Sequence, residues 1–235
     1  MNAKKLLQWS FLALAVAGMA GCERATEPES KRQTVGLEGA DFVEVDIGMG
    51  AGELRLQGGA ADLMEGTFRY NVERWTPQVD YRVVDKQGKL SIRQRRRTGL
   101  HLGRTENTWE IRLNNRVPMD MTVHLGAGTS DLDLREFALK RLDIGMGVGE
   151  LNLDLSGARK ENLSVNIDGG VGSGTIYLPK DCGIRAEISG GIGSIHAPGF
   201  RQDGHAYANE VYGKTPASID LHIEAGIGSI ELRLR

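Results

Sequence analysis

Six times along the chain, a run of alternating apolar residues reaches a cluster of glycines and resumes one residue out of step. The clearest copy is Asp143–Leu153. Near copies are Asp46–Leu56 and His124–Leu134, and looser ones are Asn166–Leu178, Glu187–Ala197 and His222–Leu232. Before the glycines Leu142, Ile144, Met146 and Val148 share one parity; after them Leu151, Leu153 and Leu155 take the other. Alternation with a period of two is the signature of a strand. A slip of one residue turns the second apolar set outward unless the chain bends or bulges at the slip. Each copy therefore reads as strand, glycine corner, strand, with both apolar sets facing one core.

The first apolar residues after the corners are Leu54, Leu132, Leu151, Ile176, Ile195 and Ile230, at steps of 78, 19, 25, 19 and 35. Steps of 19–25 suit one coil of a stacked repeat. The expected fold is all-β: a β-solenoid of about six strand–Gly corner–strand repeats with an N-terminal antiparallel β insertion. The insertion fills the 78-residue step. Within it Thr67–Val72, Val79–Val84, Lys89–Gln94 and Trp109–Leu113 read as strands, and Asp85–Gly88 as a turn. The 35-residue step holds Ala197–Pro216, which reads as a loop. The corner assignment falls on Gly48, Gly50, Gly52, Gly145, Gly147, Gly149, Gly170, Gly172, Gly191, Gly193, Gly226 and Gly228. Glycine there implies positive φ or a close approach.

Residues 1–21 read as a leader: Lys4 and Lys5, then an apolar run over 6–18, too short to span a bilayer. Met19-Ala20-Gly21-Cys22 resembles the lipobox of bacterial lipoproteins, which implies lipidation of Cys22. The sorting rule of such lipoproteins, applied to Glu23, favours the outer membrane, with the domain in the periplasm or at the cell surface. Residues 22–35 read as a flexible tether, 36–121 as an N-terminal β block holding the first repeat, and 122–235 as the solenoid. The full chain carries a net charge of −2, which loss of Lys4 and Lys5 would take to −4. That balance argues against nucleic acid as a partner. With Cys22 modified, Cys182 has no disulfide partner, and its phase with Ile184, Ala186 and Ile188 places it in the core.

The Asp-Ile-Gly-Met-Gly-x-Gly-Glu-Leu-x-Leu repeats resemble the toast-rack family of bacterial envelope proteins. So do Leu63–Phe68 and Val117–Asp120 in the N-terminal block. That family is similar to adhesin-like repeat proteins and to cell-wall-active antibiotic response proteins. The resemblance implies an exported β-solenoid without catalytic residues or cofactor.

Candidate chemistry is sparse. The Gly-x-Gly-x-Gly runs precede strands rather than helices, so they are not phosphate cradles. Glu53, Asp131 and Glu150 read as one acidic row, either capping corner N–H groups or holding a cation. His124 and His222 read as matching outward positions, without the spacing of a zinc site. Arg93, Arg95, Arg96 and Arg97 form a basic cluster suited to an anionic surface. The composite expectation is a membrane-anchored, non-catalytic binding or scaffold module for an envelope protein or polysaccharide. The alternatives are a regulatory subunit for envelope stress and a carbohydrate-active enzyme.

Overall fold

The computed structural model describes residues 23–24, 27–94, 101–102, 105–191 and 193–235. The leader and Cys22 lie outside the described residues. Strands β1 (Glu23–Arg24), β2 (Glu29–Val35), β3 (Phe42–Gly58), β4 (Met64–Tyr70), β5 (Pro77–Val84), β6 (Gln87–Gln94), β7 (His101–Leu102) and β8 (Asn107–Leu113) form the N-terminal part. The repeats follow as β9 (Met119–Asp133), β10 (Leu139–Asp154) and β11 (Leu163–Leu178). The chain then runs through β12 (Gly183–Gly190), β13 (Ser194–His196), β14 (Phe200–Asp203), β15 (Ala206–Asn209) and β16 (Ser218–Leu234). The one helical element among the described residues is a 3-10 turn, Glu73–Trp75.

The long strands β3, β9, β10, β11 and β16 each run through a glycine corner and pair in parallel along both legs. On the first legs Ile47, Val123, Ile144, Ile167, Ile223 and Ile188 fall in one buried row. On the second legs Leu56, Leu132, Leu153, Ile176 and Leu232 form another. Both rows join one hydrophobic cluster reaching from Ala40 to Leu232. Full burial of each such side chain contributes roughly 1.5–3 kcal/mol. The core crosses residue 121 without a break: β9 begins at Met119 and pairs directly with β3, so no boundary separates 36–121 from 122–235.

Stacking order departs from chain order. The last strand, β16, lies between β11 and the β12/β13 pair. The 35-residue step leading into it is not loop throughout. Phe200–Asp203 and Ala206–Asn209 form a hairpin that pairs onto β12 and covers its free edge. At the other end the two legs of β3 are extended separately. The β5–β6 hairpin continues the first leg, and β8, β4 and β2 continue the second. Asp85 and Lys86, both at positive φ, make the β5–β6 turn. Trp109 and Phe68 meet edge to face, 5.4 Å apart, beneath this block.

Two expectations are corrected here. The tether over 22–35 ends early, because Glu29–Val35 pairs antiparallel with β4 as an edge strand. Its pairing is through the backbone, so a mostly exposed sequence with no apolar period can still form it. The second copy is also misplaced by two residues: Asp143 pairs with Thr122, and Leu153 with Leu132. The row after the corner is Leu54, Ser130, Leu151, Gly174, Ile230 and Ile195. Ser130 is buried in it. The regular coil step is therefore 21–23 residues, from Ser130 to Leu151, Gly174 and Ile195.

Candidate functional site

At the corner the backbones stack so closely that two rows of glycine run through them. One is Gly50, Gly126, Gly147, Gly170, Gly226 and Gly191. The other is Gly52, Gly128, Gly149, Gly172, Gly228 and Gly193. A Cβ on Gly147 would lie 3.3 Å from the carbonyl carbon of Gly126 and nearer still to its oxygen. The φ of Gly147 is not positive, so close approach alone requires glycine there. At Gly149, φ is 145°, and a Cβ would lie 2.8 Å from the carbonyl carbon of Gly128. Gly126 and Gly128 belong to these rows although the sequence reading passed over them. Gly48 and Gly145 do not belong. Their row continues as His124, Asp168, Glu224 and Ser189, and they make room for the side chains of Arg93 and His124.

The open edge of the corner on β3 is capped by side chains. Gly50 N donates to Gln94 Oε1 at 2.8 Å, and Asn107 Nδ2 donates to Ala51 O at 2.6 Å. Trp109 Nε1 donates to Asn107 Oδ1 at 3.0 Å, which fixes the amide. The residue between the two glycine rows points to solvent rather than inward. Val148 is 54% exposed, Val171 49% and Ile227 67%, where the alternation had placed Val148 in the core. With Ala51 and Ala127 these residues form one row across neighbouring strands.

The outer face of the second legs carries an open groove of about 820 Å³. Two polar rows line it. Arg55, Asp131 and Asn152 pair across β3, β9 and β10; Asp133, Asp154 and Tyr177 pair across β9, β10 and β11. Asn152 Nδ2 donates to Asp131 Oδ1 at 3.0 Å. Arg55 bridges Glu53 and Glu110, and Arg135 grips Asp133 through two nitrogens. The Arg135 hydrogen bond, with its charge, holds the Asp133 carboxyl below the usual carboxylate range against the opposing effect of burial. Arg233 does the same to Glu231. The Arg235 guanidinium lies 3.5 Å from the centre of the Tyr177 ring.

The acidic row dissolves in this register. Glu53 aligns with Thr129, Glu150, Ser173 and Ser229, while Asp131 sits two residues further along, beside Arg55. His124 and His222 are likewise two positions apart: His222 pairs with Asn166 and Glu187, not with the row of Gly145. Among the described residues no group of three or more His, Cys, Asp or Glu side chains could hold a metal ion. Arg93 forms an ion pair with Asp46; Arg95, Arg96 and Arg97 lie outside the described residues. Cys182 is buried, donates to Ala217 O at 3.3 Å, and has its thiol pKa pushed up by burial. Nearby, the Arg159 guanidinium is largely buried. It donates to Phe137 O at 3.2 Å from Nη1, while Nε and Nη2 find no partner among the described residues.

The sequence pattern describing the N-terminal domain of toast_rack, DUF2154, matches residues 24–177. The chain belongs to the toast-rack family. A second pattern, the C-terminal region of the cell wall-active antibiotics response protein LiaF, matches residues 126–232 of this toast-rack protein. Among solved structures, a candidate cell adhesion protein from Clostridium sporogenes is 38% identical. It superposes with a TM-score of 0.86 over 89% of this chain and 100% of its own. A candidate adhesin from Bacteroides fragilis is 10% identical, with a TM-score of 0.33 over 89% of this chain and 99% of its own. No curated protein matches.

Proposed function

We propose that this toast-rack protein is a cell-envelope scaffold, held on a membrane by lipid at Cys22, that binds an extended glycan chain along its second-leg face. The groove carries this reading. It is open and long, and its carboxylates, amides and guanidiniums are held in register by the parallel ladder, so they repeat at about 4.8 Å from strand to strand. A repeating polymer meets repeating donors and acceptors there, with no reorganisation of the backbone. The similarity to a candidate cell adhesion protein supports the binding role.

The arginine-paired carboxylates support binding over hydrolysis. A glycosidase general acid has its pKa raised toward neutrality. The shifted carboxylates here, Asp133 and Glu231, are both lowered by arginine partners. A second reading, a regulatory subunit for envelope stress, rests on the match of residues 126–232 to the antibiotic-response pattern.

Co-sedimentation of the protein with purified envelope polysaccharides and peptidoglycan tests the groove. Asn152→Ala combined with Asp131→Ala should weaken retention by about tenfold, as expected for two lost polar contacts at roughly 0.5–1.5 kcal/mol each. Retention equal to wild type, or none by wild type on any polymer, refutes the glycan reading. The anchor is tested separately: Cys22→Ser should abolish acyl mass on the N-terminal peptide and release the protein from the membrane fraction.

A further inference from the structure

The exposed row Val148, Val171 and Ile227 has no structural task in the body. These side chains project from the crowded corner, where the residues on either side are glycine. They stand on the adjacent strands β10, β11 and β16, so the stacking gathers them into one apolar ridge about 10 Å long. Val and Ile suit a strand wherever they stand, but a contiguous exposed row of them on three neighbouring strands, with glycine on either side, is an apolar surface of the kind that marks a contact.

The N-terminal chain reaches the body at the same end. Asn107 lies against the corner of β3, hydrogen-bonded to Ala51 O. Tyr70 pairs with Asn107, and Glu29 pairs with Tyr70. Glu29, the first residue of the main sheet, therefore stands on the corner rim, two strands from Asn107. It is seven residue steps from Cys22, a reach of at most about 25 Å. Val148 lies five strands along the same rim from Glu29, also about 24 Å away. The opposite end of the coils, where the turns around Lys160 lie, is roughly 20 Å further from the rim, the length of a leg.

We infer that the corner end of the toast rack is its membrane-facing end, and that Val148, Val171 and Ile227 seat in the lipid interface. This rests on the reading of Cys22 as the lipid anchor. A tether that joins the body on the corner rim keeps the ridge within reach of the bilayer, and the ridge itself, not the tether's length, sets which end faces it. Three side chains alone would bind weakly. Tethering makes the second contact intramolecular, and a weak contact then suffices to orient the body. The flanking positions carry Asp168, Glu224, Glu53 and Glu150, so the contact is apolar and does not call for anionic lipid.

A polarity-sensitive fluorophore on a single reactive cysteine tests the orientation, because Cys182 is buried and lipidated Cys22 is blocked. The full-length protein is labelled either beside the ridge, at Ser229→Cys, or at the far end, at Lys160→Cys, and placed on zwitterionic vesicles. The dye beside the ridge should brighten and shift to the blue, insensitively to salt, while the far dye should not. Adding Ile227→Asp at this exposed position, with a melting curve to check that the fold is intact, should remove the shift. The same labels in a Cys22→Ser chain, with excess vesicles, read the ridge without the anchor and should give the same order. If wild-type Cys22 carries no acyl mass, the anchor reading fails, and the Cys22→Ser result decides the ridge by itself. No shift beside the ridge, or an equal shift at both positions, overturns the inference. So does a shift that needs no vesicles and grows with protein concentration, which assigns the ridge to a second copy of the chain.

Discussion

Gly149→Ala is the sharpest test of the corner. Two costs add at this position. With φ at 145°, the new residue would occupy backbone space that L side chains rarely adopt, a strain of about 1–3 kcal/mol. Its Cβ would also sit 2.8 Å from the carbonyl carbon and 3.0 Å from the amide nitrogen of Gly128, with the oxygen closer still. Relieving that overlap means spreading β9 from β10 within a continuous ladder, a further cost of about 1–3 kcal/mol on the scale of an overpacked core. The expected loss is about 2–6 kcal/mol. For a chain of this size, at roughly 2–4 °C per kcal/mol, melting should fall by about 4–24 °C. Gly147→Ala carries only the second cost, since its φ is not positive, and should fall between Gly149→Ala and wild type. Gly174→Ala is the control: nothing lies within 4 Å of a Cβ there, and the position belongs to the inward row of Leu54, Leu151 and Ile230. It should be neutral or stabilise by about 0.4–1 kcal/mol. Circular dichroism melts of the three variants decide. A Gly149→Ala melt within a degree or so of wild type, or Gly174→Ala as damaging as Gly149→Ala, refutes the close-stacking account.

The remaining expectations concern charge. The folded pKa of Asp133 is lowered, so its pair with Arg135 contributes stability that is fully present above the ordinary carboxylate pKa of about 3.9 and is lost as pH falls from there through the lower folded pKa. Asp133→Asn should cost under about 1 kcal/mol near neutral pH, because the pair is largely exposed, and its deficit relative to wild type should close below about pH 4. Denaturant melts at pH 7 and pH 3 that show equal deficits would contradict this. Arg159→Met removes a desolvated guanidinium with two nitrogens unpartnered among the described residues, at the expense of one hydrogen bond to Phe137 O. The melting temperature should be unchanged or raised, because replacing a poorly compensated buried charge by an apolar side chain is often neutral or favourable. A loss of more than about 2 kcal/mol would show that the guanidinium is better compensated than its described contacts indicate.

The repeat was legible because its causes are local. Period-two alternation with a one-residue slip announces strand, corner, strand, and Ile144 and Leu151 turn to one core from opposite parities, as that logic requires. The candidate site was much less legible. Asp131 pairs with Arg55 and Asn152 across strands that are distant in sequence, and no local pattern identifies those partners. The groove is made of outward positions, which apolar periodicity leaves unconstrained.

Sequence by itself therefore determined the all-β class, the bent repeat and the inward rows. Tertiary structure decided which copies are neighbours and in what register. A shift of two residues leaves the alternation unchanged, so Ser130 and Gly174, standing in an apolar row, hid the true frame until the ladder set it. It also decided that β16 enters between β11 and β12 and that Glu29–Val35 is a strand, since both depend on backbone pairing with distant segments. Above all, it turned Val148 outward. Parity extrapolated along a straight strand places that residue inside; the bend at Gly149 ends the leg before the core can cover it, and leaves an apolar ridge on the rim.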